Sequence, residues 1–282
     1  MRWGAALAFA SVACAQTEEE ALVRAVLVAE ASYCMESASA PVLPSSLEDV
    51  AVDAIIEVQD ERAIVGYDAR KKSLFVSFRG TSNLANWLEN IDGFKTSPYD
   101  DDADAEVMEG MSDWYHDLKG GVVSALAKAK DARFPGGGVA PLYATGHSAG
   151  GACATLFSVD VWRGNVTGYA LTTAFSFGSP RLGNAAFAAF FDKARDAAGA
   201  RSYRVTHADD VIPHLPQQLL GFLHVPGEFW QQNDTVAVVA CADSTSAEDP
   251  ACSDSCAPLD CTSKADHLRY LGVPLGKHGC AS

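Results

Sequence analysis

The stretch Gly146-His147-Ser148-Ala149-Gly150 interrupts an otherwise apolar passage, with Tyr143-Ala144-Thr145 before it and Ala152-Cys153-Ala154-Thr155-Leu156 after it. A short strand that ends in Gly-x-Ser-x-Gly and restarts at once as a helix is compatible with few folds. The glycines on either side of the serine mark backbone so crowded that a Cβ there would clash. Such a turn lifts Ser148 Oγ above the edge of a sheet. It also leaves the Ala149 N–H, at the start of the helix, facing any negative charge that develops beside the serine. Ser148 is therefore the candidate nucleophile. A glycine-rich turn that merely contains a serine is the competing reading, and the strand and helix around it weigh against that.

The remaining sequence alternates in the way such a turn requires. Residues 19–36 read as a buried helix, apolar almost all round. Ala63–Tyr67 and Leu74–Phe78 flank a polar Asp-Ala-Arg-Lys-Lys turn and read as a hairpin. A long helix over 111–134 stops at the Pro135-Gly-Gly-Gly breaker. Residues 141–146, 167–180 and 200–210 then read as strands, alternating with helices over 151–162 and 184–199. That order predicts an α/β fold with a mainly parallel central sheet and helices on both faces. No internal repeat or linker breaks the chain, so one domain is expected over 16–282.

Residues 1–15 carry one arginine, a short apolar run and a small-x-small site at Ala13-Cys14-Ala15, the grammar of a secretory signal peptide. No later run is apolar for long enough to span a membrane. The formal net charge is −15, and loss of Arg2 would make it more acidic still. Such a balance argues against nucleic acid or an anionic membrane as an attracted partner. Cysteine usage agrees with secretion. Cys14 leaves with the signal and Cys153 sits alone in the helix after the glycine turn, reading as a buried free thiol. Cys34, Cys241, Cys252, Cys256, Cys261 and Cys280 make an even set for disulfides, with their pairing open. Zinc is the alternative, but the spacing lacks Cys-x-x-Cys pairs and no histidine lies among them, so no metal is expected. Asn165-Val-Thr and Asn233-Asp-Thr are glycosylation sequons.

A serine nucleophile needs a base, and the base needs an orienting carboxylate. On this kind of elbow the chain order is serine, acid, histidine. Asp209 and Asp210 lie where a predicted strand ends, in Val-Thr-His-Ala-Asp-Asp-Val-Ile-Pro-His-Leu-Pro, and strand ends at the carboxyl edge of a sheet collect sites. His267, in Asp-His-Leu-Arg-Tyr-Leu-Gly, is the preferred base. His207 and His214 are too close in sequence to the aspartates, His278 sits in a tail beside Cys280, and His224 is the weaker rival.

These segments, with Leu-Phe-Val-Ser-Phe-Arg-Gly-Thr-Ser-Asn-Leu-Ala-Asn-Trp-Leu-Glu-Asn-Ile upstream, fall in one order that resembles the class 3 (fungal-type) triacylglycerol lipases over roughly residues 25–282. The resemblance implies an α/β-hydrolase-like fold and a catalytic triad of Ser148, Asp210 and His267, with Asp210 preferred because it directly precedes the Val-Ile-Pro run. It implies an oxyanion hole at Thr81 and Ala149, a lid over the serine, and no cofactor. It implies the disulfides Cys34–Cys280 and Cys241–Cys252; a Cys256–Cys261 pair is an expectation added beyond that pattern. Two positions depart from the family: Ala149 replaces a leucine, and Met108–Met111 replaces a His-x-Gly-Phe segment.

At the lid position Leu84, Trp87, Leu88 and Ile91 make a one-sided apolar stripe at helical spacing. Lifted, it would offer apolar side chains to lipid; packed down, it would simply cover the core. The acidic run Ser97–Glu106 that follows opposes anionic phospholipid and favours neutral glycerides or soluble esters. The sequence thus predicts a secreted triacylglycerol lipase acting on lipid or other ester substrate at an oil–water interface. A carboxylesterase or feruloyl-type esterase for soluble or cell-wall esters is the alternative. Phospholipase A1, an inactive secreted binding protein and a serine peptidase rank behind it.

Overall fold

In the computed structural model, residues 3–35, 43–91, 93–256, 260–277 and 279–281 are described. Arg2 and His278 lie outside them. Chain order runs α1 (Trp3–Cys34), β1 (Val50–Val58), β2 (Glu61–Asp68), β3 (Ser73–Phe78), α2 (Leu84–Asn90), β4 (Lys95–Thr96), β5 (Val107–Met108) and α3 (Glu109–Arg133). It continues with β6 (Ala140–His147), α4 (Ala149–Trp162), β7 (Tyr169–Phe177), α5 (Ala185–Ala197) and β8 (Arg201–His207). The last part holds β9 (Glu228–Gln231), β10 (Val239–Ala240), α6 (Lys264–His267), β11 (Arg269–Tyr270) and β12 (Val273–Pro274).

The main sheet has the order β1-β2-β3-β6-β7-β8-β9-β10. Its centre, from β3 to β9, is parallel, and both margins are antiparallel. The hairpin expected on either side of the Asp-Ala-Arg-Lys-Lys turn is β2–β3, with Ala63 opposite Phe78. Its strands are apolar on both faces because both faces are covered. On β3, Leu74, Val76 and Phe78 enter one core while Phe75 enters the other; on β2, Ala63 and Val65 are opposed to Ile64 in the same way.

One face is covered by α3, α4 and α5. Helix α3 buries Met111, Tyr115, Leu118, Val122, Ala125, Leu126 and Ala129, the three-and-four spacing of an amphipathic helix, and it ends just before Pro135. Helix α4 is buried from Ala149 to Val161, and its small residues let it lie close against β6 and β7. The other face is covered by α1 through Leu22, Ala25, Val26 and Ala29. This helix starts well before the expected position 19. It carries a buried arginine, Arg24, whose Nε and Nη2 donate to both oxygens of Asp68 at 2.6 and 2.8 Å, while Nη2 also donates to Asp49 at 2.6 Å. A guanidinium needs such partners to be buried. The pairing staples α1 to the end of β2.

Candidate active site

At the end of β6 the chain turns through Ser148, with φ 58° and ψ −132°, and becomes α4 at Ala149. A positive φ is strained for a residue with a side chain and survives only where the surroundings impose it. The flanking glycines show what imposes it. A Cβ on Gly146 would lie 2.1 Å from the carbonyl oxygen of Gly150, and one on Gly150 would lie 2.1 Å from that of Phe78. Strand, turn and helix are therefore pressed together at a spacing only glycine allows, and the serine side chain is the one left to project.

His267, on the four-residue helix α6, packs beside this turn. Its Nδ1 lies 2.8 Å from Asp210 Oδ2. Asp210 follows β8 and accepts two further hydrogen bonds, from the Ile212 N–H at 2.8 Å and from the Tyr270 hydroxyl at 2.5 Å. A carboxylate held by three donors cannot rotate away from the imidazole. Asp209 does not join this group; it is exposed and its N–H donates to Asp266 Oδ2. Of the rival histidines, His207 is engaged through Nδ1 on the Asp266 carbonyl and His224 through Nε2 on that of Pro213.

Ser148 Oγ and His267 Nε2 are both buried and have no hydrogen-bond partner among the described residues. They line one small cavity of about 20 Å³ together with Thr81, Leu84, Tyr33, His147, Leu268 and Gly276. Thr81 Oγ1 accepts from the Asn83 N–H at 3.1 Å, which leaves its own proton to donate into the cavity. The Ala149 N–H, in the first turn of α4, has no intrahelical acceptor. The Thr81 hydroxyl thus shares the cavity with the serine hydroxyl and the imidazole nitrogen, and the Ala149 N–H opens the helix that follows the serine.

Comparison with known proteins gives this arrangement relatives. Residues 75–220, which hold the elbow, Thr81 and Asp210, match the family described as lipase (class 3). The chain belongs to the class 3 lipase family. A lipase of Rhizomucor miehei is 31% identical over 222 residues, 78% of this chain and 57% of the relative. A secreted mono- and diacylglycerol lipase of Fusarium solani is 33% identical over 171 residues, 60% of this chain and 46% of the relative. The chain spans about half the length of these curated relatives. Among solved structures, lipase II from Rhizopus niveus superposes with a TM-score of 0.77 at 25% identity, covering 93% of this chain and 97% of that one. The α/β-hydrolase fold expected from the sequence is the fold of this class 3 lipase chain.

The apolar stripe expected of a lid divides in two. Leu84, the first residue of α2, lines the cavity beside Ser148. Trp87 and Ile91 pack against the core on the α3–α5 face of the sheet, and Leu88 is half-buried. The helix is short, capped at its start by Asn83 Oδ1 accepting from the Asn86 N–H and ended at Asn90, so Ile91 lies just past it.

Disulfides join Cys34 to Cys280, Cys241 to Cys252 and Cys256 to Cys261, and Cys153 is a buried free thiol. The four cysteines of the Asp- and Ser-rich loop thus spend their sulfurs on each other. Among the described residues no helix is long and apolar enough to cross a membrane.

Sequence reading passed over Tyr270, Tyr33 and His147, which surround the site. Tyr270 lies in the quoted Asp-His-Leu-Arg-Tyr segment, three residues past His267. Burial, and then the charge of Asp210, hold its hydroxyl well above the usual tyrosine range, so it stays a donor. His147 stands inside the elbow motif itself, and Tyr33 on α1 carries no local signal at all.

Proposed function

We propose that the chain is a secreted serine carboxylic-ester hydrolase that cleaves acylglycerols through Ser148, Asp210 and His267. One observation carries this reading: a buried His267–Asp210 pair whose free imidazole nitrogen shares a small cavity with an unpartnered Ser148 hydroxyl. Asp210 fixes the ring with its proton on Nδ1, so Nε2 is the basic nitrogen. Nε2 takes the Ser148 proton as Oγ attacks the ester carbonyl. The new oxyanion is held by the Thr81 hydroxyl and the Ala149 N–H while Asp210 stabilises the imidazolium. The imidazolium then protonates the departing alcohol. Water, deprotonated by the same nitrogen, releases the acid from the serine. No step calls for a metal or an organic cofactor.

Glycerides are the substrate class that the relatives' names and the surface both favour. Ser148 and His267 are each only 1% exposed, so α2 must move before an acyl chain can enter. Leu84 over the cavity and the exposed Phe94, Leu219 and Leu220 are apolar side chains suited to an oil surface. Lys95 Nζ, donating to the Leu220 carbonyl at 2.7 Å, ties the segment after α2 to that of Leu219 and Leu220. Secretion belongs to the same reading: residues 1–15 act as the signal and 16–282 as one hydrolase domain. Tyr203 donates to Glu18 at 2.7 Å, so the helix is already anchored to the body just after the expected cleavage site. The sequon residues Asn165 and Asn233 are both exposed, open to glycans added along that route.

The test compares p-nitrophenyl butyrate with tributyrin below and above its solubility limit, using the wild type and Ser148→Ala. A rise in rate once droplets form, absent in the variant, is expected. Hydrolysis of the soluble ester alone would move the assignment to a carboxylesterase, and hydrolysis of neither would remove the enzyme reading.

A further inference from the structure

His147 lies one residue before the nucleophile, is 1% exposed, and has its ring centroid 4.5 Å from that of His267. None of the steps above uses it, yet both of its nitrogens are engaged. Nε2 lies 2.8 Å from the main-chain carbonyl oxygen of His267, and Nδ1 lies 2.8 Å from the Tyr33 hydroxyl. The Tyr33 oxygen in turn accepts from the Gly80 N–H at 3.0 Å.

For a neutral imidazole only one assignment of protons satisfies all three contacts. A carbonyl oxygen can only accept, so His147 Nε2 carries a proton and donates it. Burial, and then the neighbouring His267, hold the His147 imidazole well below the usual histidine range, so the ring is neutral and Nδ1 is an acceptor. Tyr33 therefore donates to Nδ1 while it accepts from Gly80. The result is a directional strut: Gly80 N–H to Tyr33 oxygen, Tyr33 O–H to His147 Nδ1, and His147 Nε2–H to the His267 carbonyl.

The ends of this strut matter. Gly80 precedes Thr81, the proposed oxyanion donor; His147 precedes Ser148; and the far end holds the backbone of the proposed base. Three chain segments that meet only through folding are set at fixed separations by two side chains. We propose that Tyr33 and His147 are positioning residues that hold the oxyanion segment and His267 in register, and so act on binding of the transition state rather than of the ester. The inference rests on the roles given above to Ser148, Thr81 and His267.

Tyr33→Phe removes both hydroxyl bonds at nearly constant volume. At His147, glutamine can place a donor where Nε2 was, and asparagine can place an acceptor where Nδ1 was, so His147→Gln and His147→Asn each keep one end of the strut. Activities are normalised to active sites counted by stoichiometric phosphonate labelling of Ser148, which separates misfolding from mispositioning. For Tyr33→Phe, kcat should fall about ten-fold with KM nearly unchanged, since removal of a direct oxyanion donor typically costs more. Affinity for an alkylboronic acid, which mimics the tetrahedral state on serine, should fall by the same factor. Combining Tyr33→Phe with His147→Asn should cost less than the product of the two single losses, because both break one strut.

Wild-type kcat per labelled site in Tyr33→Phe, a loss confined to KM, or independent effects in the double variant would overturn the proposal. If Tyr33→Phe gives no folded protein, the His147 pair decides alone, with wild-type kcat and boronate affinity in both variants as the contrary result. A wild type that neither hydrolyses esters nor labels at Ser148 would instead sink the reading underneath.

Discussion

Ser148 keeps its positive φ in a turn where strand and helix backbone are pressed together, and this makes the elbow glycines hard to replace. Gly150→Ala sets a Cβ against the Phe78 carbonyl oxygen, with main chain on both sides and no flexible side chain to yield. It should cost about 1–3 kcal/mol or more, read as a lower urea midpoint with an unchanged slope. A second residue gives a pH signature. Burial pushes the Glu30 carboxyl, beside the Cys34–Cys280 disulfide, up to about 8. Its folded form thus holds a proton that the unfolded chain has lost, so stability should fall as pH rises from the ordinary glutamate range to about 8 and then level off. Glu30→Gln should flatten that part of a plot of Tm against pH, and an unchanged slope would contradict the assignment. The nucleophile was legible at this scale because its turn has a local sequence signature. The choice of Asp210 over Asp209 needed the family resemblance. Tyr33 and His147 meet across 114 positions of sequence, and nothing in local spacing records such a contact.

Among the elements, helix α2 carries most of the functional argument. It is short, only half-buried, and sets Leu84 over a cavity too small for any ester. If it lifts at an oil surface, Leu84→Ser and Trp87→Ser should spare hydrolysis of dissolved p-nitrophenyl butyrate but blunt the rise seen when tributyrin forms droplets. Equal loss on both substrates would assign the stripe to the core alone. Helix α1 is tied to the other end of the chain by Cys34–Cys280. Replacing both cysteines with serine should lower stability by about 2–4 kcal/mol, measured as a fall in Tm. The long periodic elements were readable from apolar spacing and from breakers such as Pro135. The β2–β3 hairpin at one margin was readable from its polar turn, whereas β9 and β10 at the other, four and two residues long, are too short to show a period. The split of the α2 stripe between cavity and core was equally invisible, because a helical period shows that residues share a face but not what that face meets.

For the molecule as a whole, the net charge of −15 sets the kind of surface it can approach. Tributyrin emulsions coated with anionic phospholipid should be hydrolysed more slowly than bare ones, and added salt should close the gap as it screens the repulsion. A salt-independent difference would point to the coat itself as a barrier. At this scale composition argued only against classes of partner, whereas the order of the four motifs pointed to the fold. All of it depends on Ser148 being the nucleophile. The most direct measurement is intact-mass and peptide mapping of the purified protein after reaction with an alkyl phosphonate ester, alongside Ser148→Ala. A single adduct on Ser148, with ester hydrolysis lost in proportion to labelling and lost by several orders of magnitude in the variant, is the expected result. An adduct elsewhere, or wild-type hydrolysis by Ser148→Ala, would contradict it.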